Sequence, residues 1–293
     1  MKIKNIATFI LLFGFLSMFL GCTSKTQKKK EKVIVVGLAY SATYPKLFKY
    51  AIQPGLEQKG YKVIIKQINN SNMLNTALDE KDIDCNLVGH TAAMEFSAKR
   101  DHLNLSMLIT VPSSVYGIHT IRLKAKNLTE LKKELKKGDV VAIPNDPSNL
   151  SRGLIFLENI GLIKLNPNID KNFAMERDIV ENPYGLVFKP IDSAQSARIL
   201  DSVAFSLVFG TEAYNAGIIS SRIVRETIYD ERYLVGVVIR TEDLGKPWTK
   251  DLIEVVQSER FKNAIENSQY IFKDFQRPQW YVKKWGIKND SIN

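Results

Sequence analysis

Residues 142–152 read Ala142-Ile143-Pro144-Asn145-Asp146-Pro147-Ser148-Asn149-Leu150-Ser151-Arg152. The stretch follows an apolar run, Val140–Ile143, that reads as a strand. It then opens a helix over Pro147–Ile160, which Gly161 stops. Asp146 suits the N-cap, and Pro147 suits the first helical position, where its missing N–H leaves nothing unsatisfied. A strand turning directly into a helix is the building unit of an α/β protein. Asn149 and Arg152 stand three apart and share one helix face near its start. Unpaired amides and the helix dipole favour an anion there, and the planar fork of Arg152 matches a carboxylate. The group suits the α-carboxylate of an amino acid; a surface arginine beside an ordinary cap would have the same spacing.

The same alternation extends to both sides. Upstream, strands are predicted at Val33–Gly37, Tyr61–Ile68, Ile83–Val88 and Leu103–Val111. Helices are predicted at Leu47–Gln58, Asn72–Asp79 (with Asn72 as N-cap) and Thr91–Arg100. Downstream, helices are predicted at Leu128–Leu135, Ser193–Asp201, Thr249–Val256 and Glu259–Asn267, and strands at Leu186–Lys189, Phe205–Phe209 and Val235–Ile239. Two α/β blocks followed by a return segment predict two open, mostly parallel sheets. Such sheets bind ligands outside the carboxyl ends of their strands. No internal repeat argues for a solenoid or propeller.

The amino-terminal end predicts export. Lys2 and Lys4 precede an apolar run over Ile6–Leu20, too short for a comfortable membrane span. Phe19-Leu20-Gly21-Cys22 reads as a lipoprotein processing signal, although its leucine stands two places before Cys22 where three is usual. The expected organisation is a signal peptide over 1–21 and a lipidated tether over 22–32. One lobe is expected over 33–117 and 239–293, and a second over 118–238. Acyl chains on Cys22 would anchor the protein to a cell or outer membrane, facing the periplasm or the exterior.

The formal charge is +10. Lys2 and Lys4 account for two of these charges. The tether, with five lysines and one glutamate, adds four, so the part from Val33 onward carries +4. A basic tether suits an anionic lipid surface. No basic stripe interleaved with stacking aromatics points to nucleic acid. With Cys22 assigned to lipid, Cys85 stands alone in an apolar segment and predicts a buried, inert thiol. His90, His102 and His119 lack metal-ligand spacing, and no nucleophile elbow, phosphate loop or dinucleotide fingerprint occurs. Nothing calls for an enzyme or a cofactor.

Several motifs resemble the NlpA lipoprotein family, the methionine-binding lipoproteins of ABC importers. They are Pro144-Asn145-Asp146-Pro147 with Asn149 and Arg152; Asp82-Ile83-Asp84 with Asn86 and His90; Ile160–Leu165; Asp178–Pro183; and Arg198 with Leu200-Asp201. The resemblance runs to about Trp285. It implies a type II periplasmic-binding fold, with crossings near Tyr116–Ile121 and Val235–Arg240, and a permease with its ATPase as partner. It implies ligand-binding roles for Arg152, Asn149, His90 and Tyr116, with Thr211 where the family has an asparagine. Val88 and Ala93 stand where the family usually has aromatic rings. That departure implies weaker methionine binding, or another amino acid or short peptide as ligand, unless Tyr40, Tyr44 or Phe209 refills the space. A surface lipoprotein that kept the fold but serves in adhesion or interaction is the second expectation.

Overall fold

The computed structural model describes residues 31–40, 43–68, 71–228 and 230–289. The signal peptide, Cys22 and the tether up to residue 30 lie outside the described residues, as does the side chain of Asn72.

The first half supplies β1 (Lys32–Ala39), β2 (Tyr61–Ile68), β3 (Cys85–His90) and β4 (Leu105–Thr110). The second supplies β5 (Tyr116–His119), β6 (Val140–Pro144), β7 (Lys164–Leu165), β8 (Ile179–Glu181), β9 (Val187–Ile191), β10 (Phe205–Phe209) and β11 (Arg222–Arg225), and β12 (Val235–Arg240) follows. They form two five-stranded sheets, β2-β1-β3-β12-β4 and β11-β5-β10-β6-β9, with β7 and β8 as a separate ladder. In each sheet a single strand runs against the other four: β12 pairs antiparallel with β3 and β4, and β5 with β10 and β11. The sheets are thus mostly parallel in direction, the type II periplasmic-binding arrangement. In each, the reversed strand is the one that follows a passage from the other sheet.

The two largest apolar cores among the described residues correspond to the two sheets. One gathers Val36, Phe48, Ile52, Val237, Phe261 and Tyr281; the other gathers Ile118, Ile143, Leu154, Leu157, Phe205 and Leu207. The helix Pro147–Asn159 shows why the second core forms where it does. Leu150, Leu154 and Leu157, at i, i+4 and i+7, are all buried against the second sheet. Each such leucine contributes about 1.5–3 kcal/mol by leaving water. Gly161 follows at φ +71°, the left-handed turn that glycine adopts without a side-chain clash.

Three expectations change. Ser193–Asp201 is not a continuous helix; only Ser193–Gln195 forms a 3-10 turn, capped by Asp192. Of the nine positions only Ser196 and Leu200 are buried, too little apolar face to hold a helix on a sheet. Val235–Arg240 is no crossing either. It is buried at every position, wedged between β3 and β4, as its near-continuous apolar run requires. Tyr116–His119 likewise pairs only within the second sheet. The chain therefore passes between sheets at 111–115 and 226–234. Among the described residues no helix is long and apolar enough to cross a membrane.

Candidate functional site

The carboxyl ends of β3, β6 and β10 converge on a cavity of about 380 Å³. His90, Val88, Ala93, Phe96 and Arg100 line it from the first sheet's side. Asp146, Ser148, Asn149, Arg152, Phe209 and Thr211 line it from the second, with Ser114 of the first passage between them. Four of the five residues expected to bind ligand, Arg152, Asn149, His90 and Thr211, therefore share one wall system. The fifth, Tyr116, does not reach it. Its ring is 1% exposed, stacks on Phe209 at 3.8 Å and lies 5.1 Å from the Arg152 guanidinium. Tyr116 supports the wall from behind.

The local sequence builds the predicted cap. Asp146 accepts the Asn149 amide at 3.1 Å, and its other oxygen accepts from Asn149 Nδ2. Asn149 Oδ1 then faces His90 Nε2 across the cavity at 3.4 Å. His90 also caps its own helix, because its Nδ1 accepts the Ala93 amide at 3.1 Å. That bond places the ring proton on Nε2, so His90 donates toward Asn149. A histidine-to-asparagine contact thus bridges the two sides of the cavity. Thr211 is anchored by its backbone, which donates to Ser114 Oγ.

Arg152 is not an open cation. Its Nε and Nη2 donate to the two carboxylate oxygens of Glu226 at 2.8 and 2.7 Å, and both residues are buried. Glu226 also accepts the Tyr116 amide at 2.7 Å. Burial pulls the Arg152 pKa down, but the charge and hydrogen bonds of Glu226 more than offset it and hold the group above its ordinary value. Glu226 opens the second passage, 74 residues after Arg152, and no local spacing announces it. The substituted aromatic positions do line the cavity as Val88 and Ala93. Tyr44 and Phe209 bound the vacated space, joined by Phe96, whereas Tyr40 is 62% exposed and outside the wall. Tyr44 accepts the Ser114 amide, and burial pushes its phenol up to about 12. A wider hollow of about 800 Å³ adjoins the cavity and shares Phe96, Arg100, Pro147 and Ser148 with it.

Two histidines are held neutral. Burial, and then the charge of Arg152, lowers His90 to about 3; burial, and then Arg222, lowers His119 to about 4. In the unfolded chain both titrate near pH 6.5. Below that pH the unfolded state takes up protons that the native state refuses. Stability should therefore fall as pH drops from about 6.5 toward 4, each histidine contributing up to about 1.4 kcal/mol per pH unit. Thermal unfolding at pH 7, 5.5 and 4.5 reads this, and His119→Asn should show a shallower acid decline than the unchanged protein. Equal declines in the two would remove His119 as a cause.

Comparison with known proteins agrees with this geometry. The NlpA lipoprotein family model matches residues 34–280. The chain is 32% identical to Outer membrane lipoprotein 3 of Mannheimia haemolytica over 268 residues, covering 90% of this chain and 95% of that one. It is 30% identical to the probable D-methionine-binding lipoprotein MetQ of Haemophilus influenzae over 282 residues, 94% of this chain and 98% of that one. Among solved structures, a nutrient binding protein from Burkholderia cenocepacia bound to methionine superposes with a TM-score of 0.71 at 27% identity, covering 81% of this chain and 96% of that one. The chain belongs to the NlpA lipoprotein family and is a solute-binding protein, not an enzyme.

Proposed function

We propose that the protein captures an amino acid or short peptide in the cavity between its two sheets and hands it to an ABC permease with its ATPase. The observation that carries this reading is the convergence of Arg152, Asn149, His90 and Thr211, from both sheets, on one cavity. The ligand's carboxylate is received at Arg152 and the start of the helix Pro147–Asn159, where amides and dipole add to the guanidinium. The two sheets are the cores of two lobes, and the passages at 111–115 and 226–234 are the hinge about which they close. Acyl chains on Cys22 hold the protein at the membrane surface, which fits the naming of its relatives as lipoproteins.

The relatives' names and the methionine in the neighbouring structure support a methionine-like ligand. Val88 and Ala93 leave more room than large rings would, and the adjoining hollow offers space for a longer side chain or a second residue. A thermal-shift screen against free amino acids and dipeptides tests the reading. A true ligand at 100 times its dissociation constant should stabilise the protein by about 2.7 kcal/mol. If no amino acid or dipeptide raises the melting temperature, the proposal falls. If methionine alone does so, the enlarged-ligand part falls.

A further inference from the structure

A guanidinium presents two forked edges, and in this protein they are treated differently. The Nε–Nη2 edge of Arg152 is closed by Glu226 at 2.8 and 2.7 Å. The Nη1–Nη2 edge has only long contacts, to Tyr233 O at 3.5 Å and Ser114 O at 3.4 Å. Those carbonyls belong to the two passages between the sheets, and Ser114 lines the cavity. The rings of Tyr116, Phe209 and Tyr233 stand 5.1, 5.2 and 5.8 Å from the guanidinium carbon and hold its plane. Glu226 is itself fixed by the Tyr116 amide.

We propose that Glu226 is a specificity-determining positioning residue: it presents the Nη1–Nη2 edge of Arg152 to the ligand and cancels its charge, so that the cavity selects zwitterionic amino acids over plain carboxylates of the same shape. This rests on the reading that Arg152 receives the ligand's carboxylate. The charges around the cavity support it. Arg100 is engaged by both oxygens of Asp101. His90 is neutral. With Arg152 matched by Glu226, the remaining wall charge is the carboxylate of Asp146, which accepts from Asn149 and Ser148. A ligand that is only an anion adds a second negative charge beside that of Asp146 in this cavity. A zwitterion adds none, and its ammonium finds a carboxylate already present.

The experiment compares two probes of nearly one shape, methionine and its 2-hydroxy acid analogue, by calorimetry on the unchanged protein, Glu226→Gln and Glu226→Asp. The unchanged protein and Glu226→Asp should prefer methionine. Glu226→Gln leaves Arg152 uncompensated, so its preference should shift toward the hydroxy acid by at least tenfold. A purely structural role would weaken both probes alike, and an unchanged ratio overturns the proposal while leaving the function above standing. If the unchanged protein binds neither probe, nor any zwitterion of the screen, both readings fall. Should Glu226→Gln fail to fold, a structure of the unchanged protein with its bound amino acid decides. The ligand carboxylate is expected on the Nη1–Nη2 edge with Glu226 still in place, and a ligand that has displaced Glu226 overturns the assignment.

Discussion

Arg152→Ala is expected to destabilise the protein by about 3–5 kcal/mol and to abolish stabilisation by any amino-acid ligand. The size follows from what the substitution leaves behind. Glu226 is 4% exposed, and without the guanidinium its charge keeps only the Tyr116 amide at 2.7 Å. A buried carboxylate stripped of its ion partner either pays for its charge or takes up a proton, and both weaken the fold. Urea denaturation measures the loss. The double replacement Arg152→Met with Glu226→Met should recover most of the stability, because removing a whole buried pair is far milder than removing half of it. It should not recover binding. A single variant as stable as the original would show that Glu226 does not depend on Arg152.

Gly236→Ala is the second large effect, expected at about 3 kcal/mol, the upper range for overpacking. Gly236 lies in β12, opposite Thr110 of β4. A Cβ built there would stand within 2.5 Å of the Ile109 carbonyl oxygen and 3.0 Å of Thr110 Cα, besides meeting the Met107 sulfur. The methionine can swing away; the two backbone atoms cannot move without prying β4 from β12. The damage reaches the cavity, because neighbouring Val235 lines it and pairs with His90. The urea midpoint should drop and ligand affinity should fall with it. A midpoint within experimental error of the original would mean that β4 gives way more easily than its ladder suggests.

Much of this was legible in the sequence, and the exceptions share a cause. The cap by Asp146, the proline after it, the helix face carrying Asn149 and Arg152 and the stop at Gly161 are local, and local spacing specifies them. His90 entered only through the family resemblance, and it is a cap and a cavity residue at once. Glu226 was not legible, since its partner lies 74 residues upstream and the intervening chain folds as other elements. Tyr116 is expected in the site only through the resemblance, and sequence does not say which ring stands in front; Phe209 lines the cavity and Tyr116 stacks on it. The passages were set several residues late for a related reason. A buried central strand and a crossing strand are both short apolar runs, and only the partners on either side distinguish them.

The placement of β12 between β3 and β4 bears on how the chain acquires its shape. Residues 116–225 are contiguous and can complete the second sheet from neighbours already synthesised. The first sheet cannot do the same. Until residues 235–240 arrive, β3 and β4 face a gap one strand wide, each with an open edge able to pair wrongly. Strands β3 and β4 must therefore wait for residues 235–240, a long loop closure that slows completion of the first sheet.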